Sequence, residues 1–174
     1  MKSNPNEDIL NKIIIRNNFQ YGDLGMVLVL HGELYYSEYQ LNHEFEAYVA
    51  EGLAEFAKIY QEGKSRLWIA EFEGKAIGTL AIMERPEQQG QIRWFLIHPD
   101  YRGIGLGKLL VEKAIIFCQD AGYQSIFLWT LANLTAARVI YEKYGFRLKE
   151  EKEHFLWGQN LTEQYYVLNL KKKI

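Results

Sequence analysis

The sequence predicts a mixed α/β domain around one central, largely antiparallel sheet of six to seven strands with four helices. Three observations predict it. Short apolar runs of strand length alternate with segments whose apolar residues recur at helical spacing. The pair Glu73-Gly74 joins two of those runs as a tight hairpin. A helix apolar over much of its circumference then follows a glycine-rich turn, as expected of a helix laid on a sheet.

Taken in order, residues 13–15 are a β-branched run and the first strand. Asp23 is an N-cap candidate for a helix reaching Tyr39. Asn42 caps a second helix to about Tyr60, in which Phe45, Tyr48, Val49, Leu53, Phe56 and Ile59 keep helical spacing, and Gly63 closes it. Residues 67–70 and 76–82 form the hairpin, and 92–97 the fourth strand. The helix from about Gly105 to Ala121 carries Leu106, Leu110, Ala114 and Phe117 on one face, widened by Val111, Ile115 and Cys118, with Gly122 as C-cap. A strand over 125–130, a helix over 135–144, a strand from Phe146 and a last one over 165–168 complete the order β-α-α-β-β-β-α-β-α-β-β. No linker, low-complexity stretch or repeat divides the chain, so residues 1–174 are read as one domain.

Composition limits the function classes. Of 174 residues 48% are apolar and 24% charged, which suits a globular domain and argues against disorder. The formal charge is −2, so no overall field favours nucleic acid or an anionic membrane. The basic tail Lys171-Lys172-Lys173 is read as a solvated end. The single cysteine, Cys118, cannot form an internal disulfide and is read as core. No set of His, Cys, Asp and Glu has metal-ligand spacing, so no metal is expected. Without an apolar leader or membrane span, the chain is expected to be cytoplasmic.

The chemistry concentrates between His98 and Lys108. A strand ends, the chain turns through Gly103, Gly105 and Gly107, and a helix begins. Unpartnered N–H groups there converge, and the helix dipole adds roughly half a positive charge, which makes an anion site. Arg102 and Lys108 add charge, and the three alternating glycines are read as costing conformational entropy without a packing benefit. Dinucleotide and P-loop spacings both fail, because Gly107 comes one residue early and Lys108 is followed by Leu109.

What does match is the R/Q-x-x-G-x-G/A signature of the GNAT acetyltransferases, as Arg102, Gly105 and Gly107. A second block, from Asn133 through Ala136 and Tyr141 to Gly145-Phe146, resembles the family's N…A…Y…G-F block, and the element order agrees over nearly the whole chain. Stretches 31–35, 128–130 and 150–158 are similar to the acetyltransferase half of fusions with MarR-type regulators, whose regulatory role is not carried over.

The resemblance implies acetyl-CoA as cosubstrate. Backbone amides of Arg102, Gly103, Ile104, Gly105, Leu106, Gly107 and Lys108 would hold the pyrophosphate. Leu96 and Ile97 would pair with the pantetheine arm, at a bulge where the fourth strand splays from the fifth. Asn133 would bond a pantetheine amide, and Tyr141 would protonate the departing sulfur, with Tyr144 competing for that role or lining the coenzyme site. The acceptor is a primary amine, on a small molecule, peptide or protein. Glu33, Tyr35 and Trp157 are candidates to bind it as a cation. Glu33, Glu38, Glu84 and His154 are candidate bases. Domains of this family are often dimers. Two other readings remain: a non-catalytic acyl-CoA sensor, and an enzyme using a longer acyl donor.

Overall fold

The computed structural model describes residues 5–170; the lysine tail lies outside the described residues. Its elements are α1 (Pro5–Leu10), β1 (Ile14–Arg16), α2 (Asp23–Tyr39), α3 (His43–Ile59), β2 (Arg66–Phe72), β3 (Lys75–Arg85), β4 (Gln89–Ile97), α4 (Leu106–Asp120), β5 (Ser125–Leu131), α5 (Thr135–Lys143), β6 (Arg147–Leu156) and β7 (Gln159–Asn169). One seven-stranded sheet has the order β1-β2-β3-β4-β5-β7-β6. Every neighbouring pair is antiparallel except β4 and β5.

The expected order holds, with α1 added in front. Six residues are too few to show a helical period, so this helix was not visible in the pattern. Asp23 is not the cap of α2. Gly22 takes that position at φ +91°, and the Asp23 carboxylate instead receives Arg16 at 2.5 and 2.9 Å. Asn42 does cap α3, accepting from Glu44 N–H at 3.0 Å. That helix ends at Ile59, and Gly63 serves the turn into β2. β7 begins six residues before the expected 165, because its first half pairs with β6 through polar residues that carry no apolar signal. Glu73 and Gly74 both adopt positive φ, as a two-residue hairpin of this twist requires.

The central strands are buried on both faces, which explains their nearly continuous apolar runs. Trp68, Leu80 and Ile82 pack with α4 and α5 through Leu106, Leu110 and Tyr141. Ile69, Ala81 and Met83 pack on the opposite face with Val27, Val49, Leu53 and Phe56 of α2 and α3. Cys118 is fully buried in the first of these cores, and burial pushes its thiol up, so it is inert packing.

One irregularity governs the site. Between the pairs Ala81–Arg93 and Thr79–Leu96, β3 advances two residues while β4 advances three. The extra residue is accommodated by Trp94 at φ +47°, a conformation that strains any side chain but glycine. The buried Thr79 hydroxyl donates to the Trp94 carbonyl at 2.6 Å and pins the bulge from β3. Thr79→Val should lower the free energy of unfolding in urea by about 1–3 kcal/mol, while Thr79→Ser should stay near wild type. Equal stability of the Val variant would mean that the bulge holds without this bond.

Candidate active site

β4 and β5 pair only at Gln89–Ser125, Gly90–Ile126 and Gln91–Phe127. Beyond them the bulge turns β4 away, while β5 stays in register with β7 as far as Leu131. The strands therefore diverge, and a cleft opens on each side of the split. Tyr35, Phe95, Leu134 and Ala137 line both clefts and mark where they meet.

The first cleft runs from the end of β4 to the start of α4. Leu96 and Ile97 lie along it, bonded to Thr79 and Gly78 on one side and unpaired on the side facing β5. Asn133, at the start of the β5–α5 connection, faces the same cleft. At its far end the turn into α4 holds Gly103 and Gly105 at φ +79° and +97°, and Gly105 caps the helix without any side-chain bond. Among the described residues no acceptor is recorded for the backbone N–H groups of Gly103 to Lys108. A β-carbon on Gly103 would meet nothing within 4 Å, so the turn is open in front. Gly107 does have a packing reason: a β-carbon there would come within 3.0 Å of Ile140 and 3.2 Å of Phe95. The side chains of Ile104 and Leu106 turn into the core, leaving only their N–H groups for a ligand.

Arg102 lines this cleft, but its charge is already engaged. Its guanidinium grips both oxygens of Glu38 at 2.7 Å, and its Nε donates to the Ile97 carbonyl at 2.9 Å. This pair ties the end of α2 to the glycine turn and removes Glu38 as a free base. Lys108 is exposed on the first turn of α4.

Tyr141 lines the second cleft and packs against Phe95, which lines both. It is 4% exposed, with Phe95, Phe146 and Tyr166 around it at ring distances of 5.7 to 6.3 Å. Its hydroxyl has no recorded partner among the described residues, and the ring forms part of the second cleft. Burial raises the phenol well above its ordinary value, with Tyr35 adding a smaller push in the same direction. The group thus stays protonated at neutral pH and can donate a hydrogen bond. Tyr144 is placed elsewhere: its hydroxyl donates to the Lys108 carbonyl at 3.3 Å, and it lines neither cleft.

The second cleft is aromatic, with Phe45, Tyr48 and Trp157 in mutual contact at 5.0 to 6.5 Å. Tyr35 stacks on Phe45 at 4.5 Å and on His31 at 5.8 Å. Glu33 is not brought to either cleft; it lies exposed on α2. Glu84 is bound to Lys64 and also lines neither cleft. His154 faces Glu163 at 3.3 Å but off hydrogen-bond geometry, and only Glu163 reaches the cleft wall. Among the cleft residues that the sequence did not mark as site residues are two charged ones, Arg93 and Glu163. A signal existed for Arg93, since a charge inside the apolar run 92–97 is out of pattern.

Comparison with known proteins bears on this geometry. Residues 32–146 match the acetyltransferase (GNAT) family. The chain belongs to that family. Among curated relatives of this GNAT protein, N-acetylaspartate synthetase of Xenopus tropicalis is 32% identical over 124 residues, 70% of this chain and 46% of the relative. N-acetyltransferase family 8 member 2 of Rattus norvegicus is 30% identical over 100 residues, 55% of this chain and 44% of the relative. The GNAT chain thus spans about half the length of the curated relatives it matches. An acetyltransferase of Streptococcus agalactiae superposes at a TM-score of 0.74 with 20% identity, over 91% of this chain and 99% of that one. Spermidine N-acetyltransferase of Vibrio cholerae, solved with CoA and spermine, gives 0.69 with 18% identity over 93% and 98%. These likenesses show the GNAT fold. Among the described residues no cluster of His, Cys, Asp and Glu could hold a metal ion, and no helix is long and apolar enough to cross a membrane.

His31 of this GNAT chain is fully buried against the second cleft. Its Nδ1 donates to the Val27 carbonyl at 2.8 Å, which leaves Nε2 as the unprotonated nitrogen. Desolvation, with a small push from Arg93, lowers its pKa to about 4. A histidine depressed in the folded state binds its proton first in the unfolded chain. Its stabilising contribution is therefore intact above about pH 6.5 and lost as pH falls toward about 4. His31→Asn, which can keep a donor to Val27, should remove up to about 3 kcal/mol of that acid-side loss. Urea titrations at pH 7 and pH 4 check this; parallel losses in the two proteins would contradict it.

Proposed function

We propose that the protein is an N-acetyltransferase that transfers acetyl from acetyl-CoA to a primary amine by direct attack on the thioester. The observation that carries the reading is the divergence of β4 and β5, which brings a free strand edge, an uncapped helix start and the Tyr141 hydroxyl round one gap. The residues present fit the coenzyme. The open N–H groups from Gly103 to Lys108 suit a pyrophosphate, and the free edge of Leu96 and Ile97 suits an amide-bearing arm. Asn133 supplies a side-chain amide along the same cleft. The coenzyme contributes an activated acetyl thioester.

What remains falls to the protein. As the amine nitrogen bonds to the acetyl carbon, the carbon–sulfur bond breaks and the sulfur becomes a thiolate needing a proton. Tyr141, kept protonated by its burial, donates a hydrogen bond that stabilises the thiolate as it leaves, and solvent supplies the proton afterwards. The proton lost by the amine passes to the acceptor cleft, where the Glu163 carboxylate is the available acceptor. The same reading takes residues 1–174 as one cytoplasmic domain acting as a homodimer, similar to the acetyltransferase half of MarR-type fusions. Relatives named for an acetylated aspartate and a neighbour named for spermidine differ in acceptor charge, so likeness to them does not select the amine.

Tyr141→Phe should lower kcat by roughly 10²-fold or more, with coenzyme affinity within a few-fold of wild type. Thiol release and calorimetry on the same preparations check both. An unchanged kcat would remove Tyr141 from the mechanism, and coenzyme binding without turnover of any amine by the wild type would return the sensor reading.

A further inference from the structure

Arg93 has an unusual situation for a guanidinium. It sits on β4 immediately before the bulge residue, and the bulge brings Arg93 and Trp94 to the same face, against α3. A β-carbon on the buried Gly52 of α3 would lie 2.6 Å from Arg93 Nη2 and 3.2 Å from Trp94. A glycine in the middle of a helix is unfavourable, and here its missing side chain is the space the guanidinium occupies. The same group lies over the Tyr48 ring at 5.4 Å and the Trp94 ring at 5.1 Å. Its position is therefore built by three elements, and it forms part of the wall of the second cleft.

No carboxylate is paired with it. Arg16, Arg85 and Arg102 each hold a carboxylate oxygen within 2.7 Å, whereas none lies within ion-pair distance of Arg93 among the described residues. Glu55 senses its charge, but that carboxylate is bound to Arg85. A half-buried guanidinium held over aromatic rings, with its fork unoccupied, is a receptor for a planar anion. Glu163 lines the same cleft from β7, so the two strand systems offer one cation and one anion across it. A polyamine would bring a second cation beside Arg93, whereas a zwitterion matches both walls.

We propose that the acceptor is an amino acid or a close derivative, carrying a carboxylate beside its amine, and that Arg93 binds that carboxylate. The assignment rests on the acetyltransferase reading. Phe45, Tyr48 and Trp157 give the remainder of the cleft an affinity for an apolar or aromatic substituent.

The test is a thiol-release assay with a panel of L-amino acids, each beside its carboxamide and its decarboxylated amine, with spermidine included. Turnover should favour the free carboxylates, by roughly 10- to 100-fold in kcat/KM over the matched carboxamides. Arg93→Gln should raise KM for the carboxylates by a similar factor and leave the carboxamides unchanged, with acetyl-CoA affinity unaltered. Arg93→Lys, which keeps the charge and loses the fork, should fall between. Equal losses on carboxylates and carboxamides, or preference for spermidine or the decarboxylated amines, would overturn the assignment. Coenzyme binding with turnover of no amino acid would overturn it too. Absence of acetyl-CoA binding in the wild type would instead overturn the acetyltransferase reading beneath it.

Discussion

The site depends on a parallel pairing that is allowed to fail. β4 and β5 hold together for three residues at one end, and the bulge at Trp94, fixed by Thr79, carries β4 out of register with its neighbour. A fully paired sheet would satisfy the backbone of Leu96 and Ile97 internally and leave nothing to offer a ligand. The cost of the unpaired edge is offset by the cores on either face, which bury the middle of β2 and of β3. The helices follow from the same geometry: α4 begins where β4 ends, so its uncapped start points into the widening gap.

Charge is distributed so that each side of the gap has a distinct character. On the first side Arg102 is neutralised by Glu38, leaving backbone N–H groups and the helix start as the anion-attracting features. On the second side Arg93 keeps its charge, screened only by aromatic faces. Between them lie Tyr35 and Tyr141, both pushed up by burial and both protonated. The junction is thus a neutral, donor-rich strip between two polar regions, suited to a neutral thioester that departs as an anion.

Much of this was legible in the sequence because it is local. The glycine turn, the cap at Asn42, the Glu73-Gly74 hairpin and the order of elements each follow from a few adjacent residues. Ala121 caps α4, with the expected cap, the left-handed Gly122, one position past it. The failures share a different cause. Asp23 has the right chemistry for a cap, but a residue seven positions earlier, Arg16, claims its carboxylate. Glu33 and Trp157 look alike as candidates in sequence, yet α2 turns Glu33 to solvent while the β6–β7 turn brings Trp157 onto Phe45. Gly107 looked like a ligand glycine and is also a packing glycine, because Ile140 and Phe95 come from elements far along the chain. Arg93 shows itself only once α3 is known to carry Gly52 opposite it.

The central claim is that the free edge of β4 and the start of α4 together receive the coenzyme. Amide hydrogen exchange with and without acetyl-CoA tests it most directly, because it reads those backbone groups themselves. Acetyl-CoA should slow exchange at residues 95–97 and 103–108 while leaving β2 and the β6–β7 hairpin unchanged. Exchange at those two segments that is indifferent to saturating acetyl-CoA, or protection confined to another part of the molecule, would contradict the account.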